Sequence, residues 1–285
     1  MLKRVIEQFG LQVDAIYGVD DSHSSTVYRC DLSNGEHVFL KIPYSNLKFQ
    51  RELEAYHILK GIVPIPELLD SWSGDEEIPG AFLLSALEGH ALSENDSQSI
   101  AFQVGVVHAS MHGIKPPHPL HTIQNEFADW PLFIEKQFYS FAEDVKEIID
   151  DHSFKKALNK FEIMKNQLPK PDGPSFVHMD FRPANIIIDN GKISGIIDFE
   201  SVRFGATEVD FTKLYRDYLS YDEMLLQAYT KGYSSVRPLI PLETVLPFYR
   251  FTDSFNSIGW CKQRGLEKNK RFLMENITIL NGFLT

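Results

Sequence analysis

FVHMDFRPANIIIDNGKISGIIDFE, residues 176–200, is the most informative stretch of this 285-residue chain. Two runs rich in isoleucine have the composition of short buried strands. Between them lies an Asn-Gly dipeptide at 190–191, which readily takes the positive φ angles that a two-residue hairpin needs. The pattern therefore predicts a hairpin whose strand ends bring Asn185 and Asp198, thirteen positions apart, to one place.

The polar residues around this hairpin indicate a chemistry. Asp180 offers a carboxylate that can accept or orient the proton of a hydroxyl group. Asn185 and Asp198 offer the hard oxygen ligands that Mg²⁺ prefers. Such a set is the minimal equipment for moving a phosphoryl group, whereas the competing interpretation is a surface hairpin with scattered polar residues. We assign His178 to holding the loop in place rather than to proton transfer.

The spacing of these residues resembles the aminoglycoside phosphotransferase family, the small-molecule branch of the protein-kinase-like fold. Protein kinases have His-Arg-Asp, an Asn five positions after the Asp, and later Asp-Phe-Gly. Here Asn185 follows Asp180 at the same distance, and the last motif is Ile-Asp-Phe-Glu, ending at Glu200. Glutamate in place of that glycine is similar to the small-molecule branch, choline kinases included. The resemblance implies Asp180, Asn185 and Asp198 as catalytic residues, ATP or GTP as phosphate donor, and Mg²⁺ held by Asn185 and Asp198.

The composition of the chain excludes several classes of protein. A hydrophobic content of 43% with 24% charged residues is ordinary for a soluble globular protein, and no apolar run approaches the ~20 residues of a membrane helix. The amino-terminal residues lack the features of a signal peptide. Cys30 and Cys261 form no metal-ligand pair, so we expect reduced thiols in a cytoplasmic protein. The formal net charge of −11 argues against nucleic acid or an acidic membrane as partner and is compatible with a cationic small molecule.

The order of predicted elements is that of an α+β, bilobal kinase-like fold. The first third is strand-rich, with a hairpin turn at 33–36 and a helix over 47–60 that ends at a Gly61 cap. Helical patterns dominate the remainder, apart from the hairpin segment at 176–200, which we call the catalytic hairpin after its predicted role. We predict a small β-rich nucleotide-binding lobe over 1–86, with a five-stranded antiparallel sheet and one main helix. A larger, mainly α-helical lobe over 87–285 is predicted to hold the catalytic hairpin and the acceptor pocket.

Lys41 ends an apolar run at 37–41, where the alternation of a strand favours burial. A buried lysine needs a partner anion, because an unpaired charge in a low-dielectric site is costly. Glu52, eleven residues on in the predicted helix, is the natural candidate, and the resemblance prefers it to Glu54. In kinase-like families such a pair contacts the α- and β-phosphates of the nucleotide. Taken alone, a solvated lysine and a surface glutamate would be the simpler interpretation.

Two further segments complete the predicted nucleotide site. The chain has no Gly-x-Gly-x-x-Gly loop, and the corresponding segment at 18–26 is instead rich in hydroxyl groups. Ser24 and Ser25, with nearby backbone N–H groups, could cradle phosphate oxygens, although an ordinary polar turn is an equal alternative. Backbone groups near Ser85 and Leu87, at the position of an inter-lobe hinge, are predicted from position alone to bind the adenine edge.

The predicted acceptor of the phosphate is a small molecule rather than a protein. Only eleven residues, 199–209, separate Asp198 from Asp210, which leaves little room for the long activation segment of a protein kinase. Extra length lies instead at about 125–168, where the resembled family has helices that form an acceptor pocket. Arg182 keeps two possible roles, stabilising γ-phosphate charge or pinning the loop by a salt bridge.

An aminoglycoside-type antibiotic is one candidate acceptor. Such a molecule would need several carboxylates in its pocket, and this chain has acidic residues that could supply them. Such acidic runs are more often merely solvated faces. The same fold branch phosphorylates macrolides, choline, homoserine and sugar derivatives, so fold analogy does not name the acceptor. A kinase of a small metabolite such as choline, homoserine or a sugar derivative is therefore the alternative, and a non-catalytic nucleotide-binding pseudokinase is a third. The candidate carboxylates are Glu143, Asp144, Glu147, Asp150, Asp151, Glu200, Asp217 and Asp222.

Overall fold

The computed structural model of the chain describes residues 1–19 and 25–285. Strands dominate the first 91 residues and helices most of the remainder, which confirms the predicted α+β class. None of the helices in those two ranges combines the length and the apolar character needed to cross a bilayer. The strands are β1 (Val13–Gly18), β2 (Ser25–Leu32), β3 (His37–Pro43), β4 (Leu68–Trp72), β5 (Ala81–Ser85), β6 (His90–Ala91), β7 (Ser175–Val177), β8 (Ile186–Asp189), β9 (Lys192–Ile196) and β10 (Arg203–Gly205).

Helices of three kinds connect and cover these strands. The α-helices are α1 (Leu2–Gln8), α2 (Asn46–Leu59), α3 (Gln98–His112), α4 (Trp130–Ser140), α5 (Ala142–Lys146), α6 (Asp151–Lys165), α7 (Phe211–Leu214), α8 (Glu223–Ser234), α9 (Leu242–Arg264) and α10 (Lys270–Leu284). Short 3₁₀ turns lie at Phe127–Asp129, Pro183–Asn185 and Thr207–Asp210, and one π-helical turn lies at Tyr215–Leu219.

The chain divides into two compact units. The first comprises residues 1–124, 176–203 and 213–238, and it contains the amino-terminal sheet, the catalytic hairpin and helices α2, α3 and α8. The second comprises 125–175, 204–212 and 239–285 and is mainly helical. Because this division does not follow the predicted lobes, the boundary at residue 86 stays a prediction. The core of the second unit is aromatic, with Phe138 stacked on both Phe161 and Phe255.

Five strands of the first unit form one antiparallel sheet in the order β1-β2-β3-β5-β4. Gly35, with φ 87°, makes the tight turn between β2 and β3, as the Asn-Gly dipeptide predicts. Strand β3 therefore lies inside the sheet, where Lys41 is in register with Val27 on one side and Phe82 on the other. A central strand of this kind holds the Lys41 backbone in a fixed position.

Helix α2 has clear signals at both ends. The Ser45 hydroxyl accepts a hydrogen bond from the Lys48 N–H at 3.3 Å, which satisfies one of the free donors of the first turn. Gly61, with φ 77°, follows the helix in the left-handed region that favours glycine after a helix end. Phe49 stacks on Phe82 of strand β5 with 4.7 Å between ring centroids. This packing anchors helix α2 beside the sheet.

The catalytic hairpin has the predicted geometry. Asp189 is in register with Lys192 across the β8–β9 pair, and Asn190 and Gly191 between them have φ 46° and 73°. Two successive positive φ angles define the twisted two-residue turn that Asn-Gly favours. At the open end of the hairpin, the Ile197 N–H donates to the carbonyl of Asn185 at 3.0 Å. Asn185 and Asp198 are thereby neighbours.

Helices α3 and α8 approach each other closely because glycine lies at their crossing. A Cβ on Gly105 would meet the Tyr229 carbonyl oxygen at 2.3 Å, and a Cβ on Gly232 would meet the Phe102 carbonyl oxygen at 2.0 Å. The close approach lets His108 Nδ1 bond the Tyr229 hydroxyl at 2.7 Å. An equivalent histidine–tyrosine bond, at 2.8 Å, is formed one helical turn further along.

We expect Gly105→Ala to lower the free energy of unfolding by about 2–3 kcal/mol, because the added methyl group cannot fit without separating the two helices. Gly282→Ala is the matched control, since a Cβ at this position in helix α10 meets nothing within 4 Å. That substitution should leave stability unchanged or raise it by up to about 1 kcal/mol. Urea denaturation of both variants measures the difference, and equal stabilities would contradict the packing argument.

Glu54, on helix α2, holds a connecting segment of the first unit. Its carboxylate accepts the backbone N–H groups of His121, Thr122 and Ile123 and the Thr122 hydroxyl, at 2.7–3.2 Å. Partial burial alone would raise the pKa of Glu54, but these hydrogen bonds outweigh it and lower the pKa below its ordinary 4.5. Glu54 therefore has a structural role.

We expect Glu54→Gln to lower the free energy of unfolding by about 1 kcal/mol at pH 7, because the amide loses the charge and one acceptor oxygen. A carboxyl whose pKa is lowered by folding stabilises the protein fully above its unfolded pKa, and this contribution is lost as pH falls through the folded pKa. The difference from wild type should therefore shrink between pH 7 and pH 3 in denaturation experiments. Glu94→Gln, at an exposed position, is the control. A difference as large at pH 3 as at pH 7 would contradict the argument.

Candidate active site

Two residues of the catalytic hairpin have backbone angles that non-glycine residues rarely adopt. Met179 has φ 68° and Asp198 has φ 70°. Such left-handed conformations cost free energy and are found most often where function fixes a side chain. Met179 directly precedes Asp180, so both predicted catalytic carboxylates lie at or beside these positions. A hydrogen bond between His178 Nε2 and the Ile197 carbonyl, at 3.0 Å, links the segment before Asp180 to the segment before Asp198.

A buried lysine and two carboxylates form the centre of the site. Lys41 Nζ lies 2.8 Å from Glu52 Oε1 and 2.6 Å from Asp198 Oδ1. The side chain of Glu52 is fully buried and that of Lys41 is 7% exposed, whereas Asp198 is 34% exposed. The structure therefore pairs Lys41 with the predicted Glu52 and not with Glu54. It also brings Lys41 to the Asp198 of the hairpin, 157 positions away.

One ammonium faces two carboxylates at this centre, and each group changes the pKa of the others. Burial alone would lower the pKa of Lys41, but the carboxylates of Asp198 and Glu52 outweigh it and raise the pKa, so the ammonium is kept. Burial raises the pKa of Glu52 to about 7 against the opposing effect of Lys41. Burial also acts to raise the pKa of Asp198, yet Lys41 outweighs it and lowers that pKa. Asp198 is thus the partly exposed carboxylate of the group and the one whose ionised form its neighbours favour.

Helix α2 holds the segment that follows Asp198 with a group of contacts that we call the α2 clamp, made by Lys48, Arg51 and Glu52. Lys48 Nζ lies 2.9 Å from Glu200 Oε1, and Arg51 Nη1 donates to the Glu200 carbonyl at 3.1 Å. Glu52 Oε1 accepts the backbone N–H of Phe199 at 3.3 Å. Glu200 is 3% exposed, and Lys48 places a cation beside its carboxylate. The clamp fixes the backbone on which Asp198 is carried.

Asp180, the other predicted catalytic carboxylate, has cations beside both of its oxygens. Lys213 Nζ lies 2.5 Å from Oδ1, and Arg182 Nε lies 3.3 Å from Oδ2. Asn185 Nδ2 also donates to Oδ2 at 3.2 Å and to the Asp180 carbonyl at 2.9 Å. Burial alone would raise the pKa of Asp180, but Lys213 and then Arg182 outweigh it and lower that pKa. The contact of Arg182 with Asp180 favours the loop-pinning interpretation of this arginine.

Four further residues were predicted to contact the nucleotide, and three of them lie in the described part of the chain. Ser24 lies outside the described residues, and Ser25 is a buried residue at the start of strand β2. Ser85 ends strand β5, where its N–H donates to the Glu67 carbonyl and its hydroxyl accepts the Glu67 N–H, each at 2.9 Å. The side chain of Leu87 lies against Gly195 of the catalytic hairpin. The role of the Ser85 and Leu87 backbone in binding an adenine edge stays a prediction.

Sequence reasoning did not single out Lys48, Arg51 or Lys213. Lys48 and Arg51 lie four and one positions before Glu52, so helical spacing could have placed Lys48 on the same face as the predicted partner of Lys41. Lys213 follows Asp180 by 33 positions, and nothing in the pattern distinguishes it from a surface lysine. Its contact depends on tertiary structure alone.

Most of the candidate acceptor carboxylates already have local partners. Two of them cap helices, and others are in ion pairs or hydrogen bonds within their own unit. The cations among these partners offset negative charge, and the neutral donors occupy carboxylate oxygens that a ligand would otherwise use. The caps are Asp150 on helix α6 and Asp222 on helix α8, and the pairs are Asp144 with Gln263, Glu147 with Lys262, Asp217 with Arg216 and Glu200 with Lys48.

The strand lysine, the helix glutamate and the Asp–Asn–Asp set of the hairpin lie together, as the resemblance to small-molecule kinases predicts. The chain belongs to the phosphotransferase enzyme family, whose model matches residues 17–240. It is therefore a nucleotide-dependent phosphotransferase with an alcohol group of a small molecule as acceptor. This confirms the resemblance found in the sequence.

Three known proteins illustrate the similarity. A homoserine kinase of Neisseria meningitidis serogroup B is 22% identical over 236 residues, which cover 79% of this chain and 75% of the relative. The GDP and kanamycin complex of APH(2")-IIia superposes with a TM-score of 0.78 at 13% identity, covering 99% of this chain and 97% of that one. The macrolide 2'-phosphotransferase MphH from Brachybacterium faecium gives 0.72 at 15% identity, covering 98% and 97%. These structures confirm the kinase-like fold.

We expect Lys48→Met to weaken binding of MgADP by about tenfold and to lower the free energy of unfolding by about 2 kcal/mol. The reason is that Glu200 is left as a buried charge, so the segment carrying Asp198 shifts. Isothermal titration calorimetry and urea denaturation measure the two effects. Lys60→Met, at an exposed position just after the same helix, is the control. If the two variants bind MgADP equally well, the α2 clamp does not support the nucleotide site.

Proposed function

We propose that the residues around the catalytic hairpin transfer the γ-phosphoryl group of a magnesium nucleotide, ATP or GTP, to a hydroxyl group. The observation that supports this most is the contact of Lys41 with Asp198. It joins the predicted phosphate-binding lysine to the predicted metal ligand from opposite parts of the chain. A non-catalytic nucleotide-binding module has no need to keep this contact together with an ionised Asp180.

The residues at the end of the hairpin suit Mg²⁺. An amide oxygen and a carboxylate are the hard ligands that this ion prefers. Asn185 uses its Nδ2 to donate to Asp180, which leaves Oδ1 as the atom to bind a metal, and Asp198 uses Oδ1 for Lys41, which leaves Oδ2. When bound, Mg²⁺ neutralises charge on the phosphate oxygens. We assign Asn185 and Asp198 as its protein ligands.

In this proposal each residue positions or neutralises rather than forming a covalent intermediate. Lys41, oriented by Glu52, holds the α- and β-phosphates, and the backbone near Ser25 contributes further hydrogen bonds. Backbone groups of Ser85 and Leu87 hold the adenine. Asp180 accepts a hydrogen bond from the acceptor hydroxyl. As the bond from the γ-phosphorus to its bridging oxygen breaks and the bond to the acceptor oxygen forms, the hydroxyl proton leaves by way of Asp180.

For the acceptor we propose a small hydroxyl metabolite of the amino-alcohol type, the class to which homoserine and choline belong. The homoserine kinase relative supports this class. So do the local partners of the candidate carboxylates, because a polycationic antibiotic needs several carboxylates free to bind it. An aminoglycoside-type antibiotic is the second candidate, supported by the fold shared with APH(2")-IIia. We place the reaction in the cytoplasm, where ATP is present and the buried thiols of Cys30 and Cys261 stay reduced.

A coupled assay for nucleoside diphosphate release, with MgATP and MgGTP as donors, tests both parts of the proposal. The acceptor panel contains homoserine, choline, a fructosamine, a macrolide and kanamycin. We expect one amino alcohol to raise the rate well above the rate with water alone, and mass spectrometry should show the phosphorylated product. A response to kanamycin alone would establish the second candidate instead.

We expect Asp180→Asn to lower kcat by about 10²–10³-fold while changing the KM for nucleotide less than about threefold, because the hydroxyl loses its orienting carboxylate. Glu76→Gln is the matched control, since it makes the same change from carboxylate to amide at an exposed position. Unchanged acceptor-dependent turnover in the Asp180 variant would show that the catalytic assignment is wrong.

A further inference from the structure

Lys213 is the residue near Asp180 to which no role has yet been given. Its Nζ lies 2.5 Å from Asp180 Oδ1, the shortest contact that this carboxylate makes among the described residues. The two side chains are 31% and 23% exposed, so the pair lies at the edge of the interior rather than in open solvent. Lys213 is in helix α7, directly before the π-helical turn at 215–219. Single π-helical turns occur frequently at functional sites.

The contacts of the Asp180 carboxylate indicate where an acceptor hydroxyl can bind. An ionised carboxylate has two oxygens with about four acceptor positions. Oδ2 lies between Asn185 Nδ2 and Arg182 Nε, at 3.2 and 3.3 Å. Oδ1 accepts from Lys213, and the other contacts of the described residues leave its second position open. A hydroxyl that bonds Asp180 is therefore expected on Oδ1, beside the Lys213 ammonium.

We propose that Lys213 is a positioning residue of the phosphoryl-transfer step. It holds the Asp180 carboxylate in the orientation that turns the open side of Oδ1 towards the acceptor hydroxyl. This inference rests on the function proposed above, and it extends that function by a residue that acts through Asp180.

A purely structural role would leave different traces. If Lys213 only neutralised a half-buried carboxylate, its removal would lower stability, and the folded fraction would keep its kcat. If it acted on the reaction independently of Asp180, its effect would persist when Asp180 is altered. Only a residue that acts through Asp180 loses its effect in the Asp180→Asn background.

The test is a double-mutant cycle of Lys213→Met and Asp180→Asn in the full chain, with MgATP and the acceptor identified from the panel or, without one, water. Folding of each variant is verified by its thermal transition, and rates are measured well below it. We expect Lys213→Met to lower kcat by about 30-fold or more with the KM for MgATP changed less than about twofold. In the Asp180→Asn background the same change should cost less than about twofold. Lys213→Arg, which keeps the charge, should restore the rate to within about tenfold of wild type.

Lys231→Met, at an exposed position of helix α8, is the matched control and should match wild type. Should Lys213→Met fail to fold, Lys213→Gln carries the same expectations. Independent losses that multiply in the double variant, or an unchanged kcat in the folded single variant, would overturn the role of Lys213 alone. Absence of phosphoryl transfer by wild type to every acceptor and to water would overturn the proposed function, and the role of Lys213 with it.

Discussion

The buried ammonium of Lys41 is the charge on which the rest of the site depends. A charge in the interior is stable only with partners, and this ammonium and its two partners come from three different parts of the chain. Strand β3 carries Lys41, helix α2 carries Glu52, and the catalytic hairpin carries Asp198. Displacing strand β3 would leave Glu52 buried without its cation, and displacing helix α2 would leave Lys41 with the partly exposed Asp198 alone. One small electrostatic group thus links the sheet, the helix and the hairpin.

The two carboxylates of the hairpin share a common arrangement. Asp198 is held by Lys41, and Asp180 is held by Lys213, so each receives a lysine from outside the hairpin. In each case one oxygen faces the lysine, which directs the remaining acceptor positions elsewhere. The left-handed backbone at Met179 and Asp198 adds a second restraint on the same two side chains. Preorganised groups of this kind suit phosphoryl transfer, which requires positioning and charge neutralisation more than covalent chemistry.

The sequence predicts local features well and distant contacts poorly. The hairpin follows from Asn190 and Gly191, because a positive φ at both residues is a local preference. The Lys41–Glu52 pair was predicted because burial of a strand lysine demands an anion and a resembled family suggests which one. By contrast, the contacts of Lys213 with Asp180 and of Lys48 with Glu200 join residues 33 and 152 positions apart. The periodicity of the sequence does not predict contacts over such separations.

The acidic residues also show that sequence does not reveal tertiary contacts. Their clustering suggested a pocket for a cationic acceptor, yet Asp150 and Asp222 cap helices and Glu147 pairs with Lys262. Caps and ion pairs of this kind use up carboxylates wherever helices begin or cross. A count of acidic residues therefore overstates the negative charge that a ligand would meet. Only the structure distinguishes carboxylates that cap helices or form ion pairs from those available to a ligand.

The α2 clamp has a consequence for the control of the enzyme. Rotating helix α2 away from the hairpin would break the contacts of Lys48, Arg51 and Glu52 together and leave Glu200 buried without its cation. Each broken contact costs about 1 kcal/mol or more, so the rotated state would be rare. Among the described residues, these contacts therefore favour one orientation of helix α2, in which Lys41, Glu52 and Asp198 are held together. We expect nucleotide to meet a site that is already assembled, without a preceding rotation of this helix.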